Sequence, residues 1–460
     1  MTLPGEWTTL LTDLDRGFAL LKRLPPAVTF FGGARITPDD PMYALSRDLG
    51  RRLAMSGIPP RTGAGPGIMT SVPEGYRVGL AEIAAEPPSE RPTRRLTPMG
   101  AFADGVQSGF DEATPDTTRT QGIKIHLPFE PDINEAIDEV VELMTFPIRR
   151  LMLYENSLAL VVFPGGFGTL DETFEVWSRR AIGLHRDPII FMGEAFYGPI
   201  LAAVKNALIG GKRKLVDPAL LDDVLVTDDP ERVIEQITSS EGLVGFDEAP
   251  EAIARRLVVE IPYVAGALSV LPQALTVLGG PRLAEDDPAL RTAEVVIGAL
   301  ARSDTPLRIG SGGVVAQTAL DLYRAAGRAE RVQGFFLRAG KGRPAANEEV
   351  PPAWTDRPHF EVTDPIAHKL LLSKRTSGFL ALPGDLRTLE GVFSVLCEIQ
   401  TGKLERRPVV LVGSDFWGPL MNACANVMLS STRRTIAPAD LELYRIVDTP
   451  EDALAVLSGI

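Results

Sequence analysis

A chain of 460 residues and 49.6 kDa is too long for one hydrophobic core and calls for more than one domain. Hydrophobic residues at 45% and charged residues at 23% exclude a disordered chain, and two cysteines with four scattered histidines exclude a disulfide framework or a four-cysteine zinc site. The net charge of -13, from 60 acidic against 47 basic residues, argues against a nucleic-acid partner.

The chain opens without the basic-then-apolar order of a signal peptide, and no apolar run approaches the roughly 18–20 residues of a membrane span. A cytoplasmic setting without a membrane partner is expected. Residues 7–22 have the spacing of an amphipathic helix. Residues 27–31 form a short apolar run stopped by glycines, and 44–56 carry Leu45, Leu49, Leu53 and Met55 at helical spacing. Residues 84–120, rich in Pro, Ser, Thr, Gly and Arg, read as a long loop insertion. Residues 122–127 are strand-like, and 133–154 are expected to be helical with a break at Pro147. Residues 158–163 and 188–192 are continuous apolar runs, the pattern of parallel strands covered on both faces. Helices are expected at 169–180 and 200–209. Strand–helix alternation predicts an α/β fold with doubly wound parallel sheets of Rossmann-like type.

The second half repeats the first. Thr29 to Pro41 aligns with Thr276 to Pro288, with seven of thirteen positions identical. Gly63 and Gly65 fall on Gly310 and Gly312, Pro164-Gly165 on Pro383-Gly384, and Pro230-Glu231 on Pro450-Glu451. Two tandem domains are therefore expected, at 1–245 and 253–460.

The sharpest motif is Phe163-Pro164-Gly165-Gly166-Phe167-Gly168-Thr169-Leu170-Asp171-Glu172, which follows a buried strand and opens a helix. Such a turn lets a ligand approach the backbone, and the first-turn amides favour an anion such as phosphate. Thr169 is placed either to bond that anion or to cap the helix. A second loop, Thr62 to Met69, contains Gly63, Gly65 and Gly67 but fits neither the dinucleotide glycine pattern nor a Walker loop.

Pro164 to Glu172 resembles the Pro-Gly-Gly-x-Gly-Thr-x-x-Glu signature of the LONELY GUY (LOG) family of nucleoside 5′-monophosphate phosphoribohydrolases. Arg149-Arg150 is similar to the family's Arg-Lys pair upstream, and Gly63 to Met69 to its first glycine motif. The resemblance implies cleavage of the N-glycosidic bond of a purine nucleotide, AMP or a cytokinin riboside 5′-monophosphate, without metal or cofactor. It implies catalysis by Glu172 and Arg149 and phosphate binding by Gly165, Gly166, Phe167, Gly168 and Thr169. Gly63, Gly65, Gly67, Met69, Glu130, Arg150 and Glu175 are further candidates for substrate contact, whereas Asp171 is expected to face solvent. The alternative is a noncatalytic carrier of a nucleotide or of molybdenum cofactor.

The second copy has lost the reactive set. Gly166 is matched by Asp385, Gly168 by Arg387, Glu172 by Gly391, Arg149 by His368 and Gly67 by Val314. Because family members dimerise, the resemblance implies that this copy packs on the first as an internal pseudo-dimer partner, with or without further homo-oligomerisation.

Overall fold

The computed structural model describes residues 5–87, 119–127, 133–239, 250–280, 282–310, 312–338, 354, 359–430 and 433–458. Candidate Glu130, most of the 84–120 insertion and most of the expected junction between the copies lie outside the described residues.

The first copy runs α1 (Gly5–Leu21), β1 (Ala27–Phe31), α2 (Pro41–Ser56), β2 (Pro60–Thr62), α3 (Ile68–Ala85), β3 (Gln121–Ile125), β4 (Glu139–Leu143), α4 (Phe146–Tyr154) and β5 (Ser157–Val162). It continues with α5 (Phe167–Ala181), β6 (Ile189–Met192), α6 (Glu194–Ile209), α7 (Ala219–Asp222), β7 (Leu225–Thr227) and α8 (Pro230–Thr238). The second copy runs α9 (Pro250–Val270), β8 (Ala274–Leu278), α10 (Pro288–Arg302), β9 (Leu307–Ile309), α11 (Gly313–Ala325), β10 (Val332–Leu337), β11 (Phe360–Val362) and α12 (Pro365–Ser373). It ends with β12 (Thr376–Ala381), α13 (Leu386–Gln400), β13 (Val409–Val412), α14 (Ser414–Met428), β14 (Arg445–Val447) and α15 (Pro450–Leu457).

Among the described residues each copy forms one seven-stranded sheet, in the orders β4-β3-β2-β1-β5-β6-β7 and β11-β10-β9-β8-β12-β13-β14. Every pairing is parallel. The central strands β1, β6, β8 and β13 are buried at every residue, as two-sided helical cover requires. The α/β doubly wound expectation holds, twice over.

The expected helix over 133–154 is corrected. Strand β4 occupies its middle: Glu139-Val140-Val141-Glu142-Leu143 pairs with β3 at the sheet edge, with Val141 and Leu143 buried on one face and Glu142 between them turned outward. Pro147 does not break a helix but sits in the first turn of α4, where its missing N–H costs nothing.

The copies pack through like elements: α1 on α9, α5 on α13 and α6 on α14. Each helix meeting its own counterpart is the signature of a twofold, self-complementary interface. Phe393 of α13 lies between Phe167 and Phe174 of α5, at centroid distances of 6.0 and 5.3 Å, the latter pair stacked at 14°. One continuous apolar core runs through both copies. At the rim, Arg213 pairs with Asp287 at 2.8 and 2.9 Å, and Arg433 of the other copy pairs with Asp40 at 2.9 Å. Asp287 and Asp40 are the N-caps of α10 and α2, so the two contacts mirror one another.

Candidate functional site

The sheet order reverses between β1 and β5, and the loops leaving their carboxyl ends meet there: Gly33 N donates to Pro164 O at 2.9 Å. The loop after β2 joins them. Gly67 has φ +69°, and a Cβ on it would fall 2.2 Å from Gly33 O, so only glycine fits. Gly166 is the N-cap of α5 and is extended, with no side chain capping the helix. The amides of that first turn face the position where an anion would sit. Thr169 stands over Gly165, its Oγ1 2.1 Å from where a Gly165 Cβ would be.

Arg149 is 6% exposed on α4. Its Nε donates to Ile123 O at 3.2 Å, and its guanidinium is ion-paired with Glu172 in the second turn of α5. A Cβ on Gly63 would lie 2.2 Å from Arg149 Nη2 and 2.7 Å from Met69 Sδ. Glycine at 63 is thus the space in which the guanidinium rests. The fold brings together Arg149, Glu172, Gly63 and Met69, with the Gly165–Thr169 turn at the head of the same helix that carries Glu172.

Arg150, Asp171 and Glu175 are placed elsewhere, in a buried ion network between the copies. The expectation that Asp171 faces solvent is corrected: it is 1% exposed and ion-paired with Arg150. Asp171 and Glu175 lie four residues apart on the stripe of α5 that faces α13, about 100° and about 60° round the helix from Glu172 on the same side. Arg150 Nε lies 2.9 Å from Glu175 Oε2, and Tyr154 Oη donates to Glu175 Oε1 at 3.0 Å. Lys369, from the second copy, donates to Glu175 at 2.6 Å and is ion-paired with Glu390, which also accepts from Ser178 at 3.1 Å. Burial pushes the Glu175 carboxyl up, but Lys369 and Arg150 outweigh it and hold it down at about 2. The alignment of the copies sets Lys369 beside His368 and Glu390 opposite Asp171, but it gives neither a role in a network between the copies. The repeat contained their signal, since they stand where Arg150 and Asp171 stand and keep the sign of each charge.

The equivalent place in the second copy is chemically different. Asp385 caps α13, accepting from the amides of Arg387 at 3.1 Å and Thr388 at 3.3 Å. Those amides are thereby occupied by the chain's own carboxylate. His368, at the Arg149 position, has Nε2 3.2 Å from Phe335 O, and burial pulls its pKa down to about 4.

Among the described residues no group of three or more His, Cys, Asp or Glu is placed to hold a metal ion, and no helix is long and apolar enough to cross a membrane. The family model described as possible lysine decarboxylase matches residues 99–237 and again 329–457, one match in each copy. A cytokinin riboside 5′-monophosphate phosphoribohydrolase of Rhodococcoides fascians is 33% identical over 92 residues, covering 20% of this chain and 45% of the relative. One of Mycobacterium tuberculosis is 32% identical over 91 residues, covering 20% and 48%. One of Arabidopsis thaliana is 25% identical over 134 residues, covering 29% and 59%. The chain spans about half the length of these curated relatives.

Proposed function

The chain belongs to the family described as possible lysine decarboxylase, carried in tandem, and from that premise we propose that its first copy is a hydrolase of N-glycosidic bonds. The substrate is a purine nucleoside 5′-monophosphate, with AMP and a cytokinin riboside 5′-monophosphate the first to test. The products are the free base and ribose 5-phosphate. The names of the three curated relatives support this reading. The observation that carries it is the Arg149–Glu172 pair set beside an uncapped, glycine-lined helix N-terminus.

The 5′-phosphate sits on the amides of Phe167, Gly168 and Thr169, which puts the ribose against the next turn of α5. As the C1′–N bond breaks, its electron pair leaves with the base and positive charge develops on the ribose. The Glu172 carboxylate stabilises that charge, accepts a proton from the water whose oxygen bonds to C1′, and passes that proton to the departing base nitrogen, which restores the carboxylate. Arg149 orients the carboxylate and offers its remaining donors to a ribose hydroxyl or the phosphate. Hydrolysis transfers no net electrons, so no redox cofactor enters. No lysine lies in the converging loops 32–35, 62–69 and 163–172 to form the imine that cofactor-dependent decarboxylation needs.

Release of ribose 5-phosphate and base from a nucleotide panel tests the proposal. Glu172→Ala and Arg149→Ala should each lower turnover about 10²–10³-fold with the fold intact. Turnover within twofold of wild type in both variants would remove these residues from the mechanism.

A further inference from the structure

We propose that the second copy is a ligand site in its own right, for a small uncharged heteroaromatic molecule of nucleobase size that carries no phosphate. A cavity of about 90 Å³ lies at the carboxyl end of the second sheet. Its lining includes Gly279, Gly310, His368 and Gly391, the counterparts of Gly32, Gly63, Arg149 and Glu172. The place of the candidate site has thus been kept as space while its reactive groups have gone.

Phosphate does not suit this cavity. Asp385 already occupies the amides of Arg387 and Thr388 and would repel an anion brought to the head of α13. The charges around it are matched within the protein: Lys369 with Glu175 and Glu390, and Arg387 with Asp385 at 3.0 Å. A charged ligand would lose its hydration there without gaining a counter-ion. Leu337, Leu372, Phe379 and Val395 supply apolar wall, and Ser394 and the His368 ring supply polar edges. That combination suits a flat ring with a few hydrogen-bonding atoms. The enclosed volume is smaller than the roughly 150 Å³ of a cavity that holds benzene, so one ring enters it edge-on and the second ring of a purine or benzimidazole lies at its mouth, which opens to solvent. Ser178 of α5 also lines the cavity, so an occupant packs on the helix that carries Glu172.

The test is calorimetric titration of the full chain, in an Arg149→Ala background so that the first copy does not turn over. The probes are adenine, benzimidazole and AMP. Adenine is chosen on the strength of the proposed function, whereas benzimidazole is independent of it, and binding is read without hydrolysis, so failure of one proposal is distinguishable from failure of the other. One saturable site per chain for adenine or benzimidazole is expected. Gly391→Leu should weaken it at least tenfold with an unchanged circular dichroism spectrum. A Cβ at 391 meets nothing nearer than 3.5 Å, so the chain accepts the backbone of that change while the larger side chain fills the cavity. Ser394→Leu, filling from another wall, should do the same. Absence of saturable binding for both rings, affinity within twofold of the Arg149→Ala parent in both filled variants, or an AMP affinity that falls with Gly391→Leu would each overturn the proposal.

Discussion

Lys369 is the cation on which the ion network between the copies turns, and replacing it with methionine tests that network directly. Its ammonium lies 2.6 Å from Glu175 and is also ion-paired with Glu390, with the Lys369 side chain 11% exposed. At an effective dielectric of about 20, the Glu175 contact alone is about 6 kcal/mol of gross attraction, most of it offset by the cost of taking both charges out of water. In Lys369→Met, Glu175 keeps Arg150 at 2.9 Å and the Tyr154 hydroxyl at 3.0 Å. Glu390 loses its ion pair and keeps the hydrogen bond from Ser178 at 3.1 Å. The orphaned charge is therefore Glu390, and stranding one buried carboxylate costs about 3–5 kcal/mol. The assay is urea unfolding at pH 7 for wild type, Lys369→Met, Glu390→Gln and the double variant. Adding Glu390→Gln to Lys369→Met should recover at least about 1.5 kcal/mol relative to the sum of the single losses, because a neutral amide needs no counter-ion. A Lys369→Met loss under about 1 kcal/mol, or additivity within about 0.5 kcal/mol, would refute the reasoning. Because one apolar core runs through both copies, wild type should unfold in a single transition.

Three further outcomes follow from the geometry. Gly63→Ala forces a methyl into the space 2.2 Å from Arg149 Nη2, so turnover should fall about 10²-fold while circular dichroism stays unchanged; unaltered kinetics would separate the loop from the arginine. Phe393→Ala removes the ring between Phe167 and Phe174 and should cost about 3–5 kcal/mol in the same urea assay, against a far smaller loss for Phe393→Leu. His368 is held neutral, with its folded pKa pulled down to about 4 from an unfolded value of about 6.5. Below pH 6.5 the unfolded chain takes up a proton that the folded chain refuses, so stability falls as pH drops through that window, by about 1.4 kcal/mol per unit, and levels off below pH 4. The difference between wild type and His368→Gln in urea unfolding from pH 7 to 4 isolates that slope; parallel curves would show that His368 titrates normally.

The readable parts of the sequence were those where one physical signal dominates. β1 falls where its apolar run predicts, because a strand buried on both faces admits little else. The three-residue strands β2 and β7 lie below the length at which periodicity registers. β4 was misread because its charged edge residues also fit a helical spacing. In the glycine turn, Glu172 was legible from its motif, whereas Asp171 beside it was read as solvated. Whether a charge on an amphipathic helix meets water or a buried partner depends on what packs there: Asp171 pairs with Arg150 of its own copy, but the helix that buries the pair, α13, comes from more than two hundred positions away.

The repeat itself separates these cases, because each copy is a control on the other. Arg61 and Arg308 are both buried, each bonded through Nε to a glutamine, Gln121 at 3.0 Å and Gln333 at 3.3 Å. Asp13 accepts from Thr145 N at 2.8 Å at the head of α4, and Glu260 accepts from Thr363 N at 2.7 Å at the head of α12. Arg35 and Arg282 each reach a backbone carbonyl of the other copy, Arg434 at 3.3 Å and Leu215 at 3.5 Å. Functions that both copies need, folding and mutual packing, are carried by positions that agree. Three positions that disagree, Arg149 with His368, Gly166 with Asp385 and Glu172 with Gly391, surround the ligand space, although Gly166 also lies against Thr435 of the other copy, and in the joint itself Glu175 is matched by Ser394. By this criterion Arg35, although it leaves β1 beside the glycine turn, belongs to the joint, and so do Arg150, Asp171 and their counterparts Lys369 and Glu390. Arg149 and Glu172 are the charged pair that one copy has and the other lacks, which is the pattern expected of a reaction carried out on one side of a pseudo-twofold only.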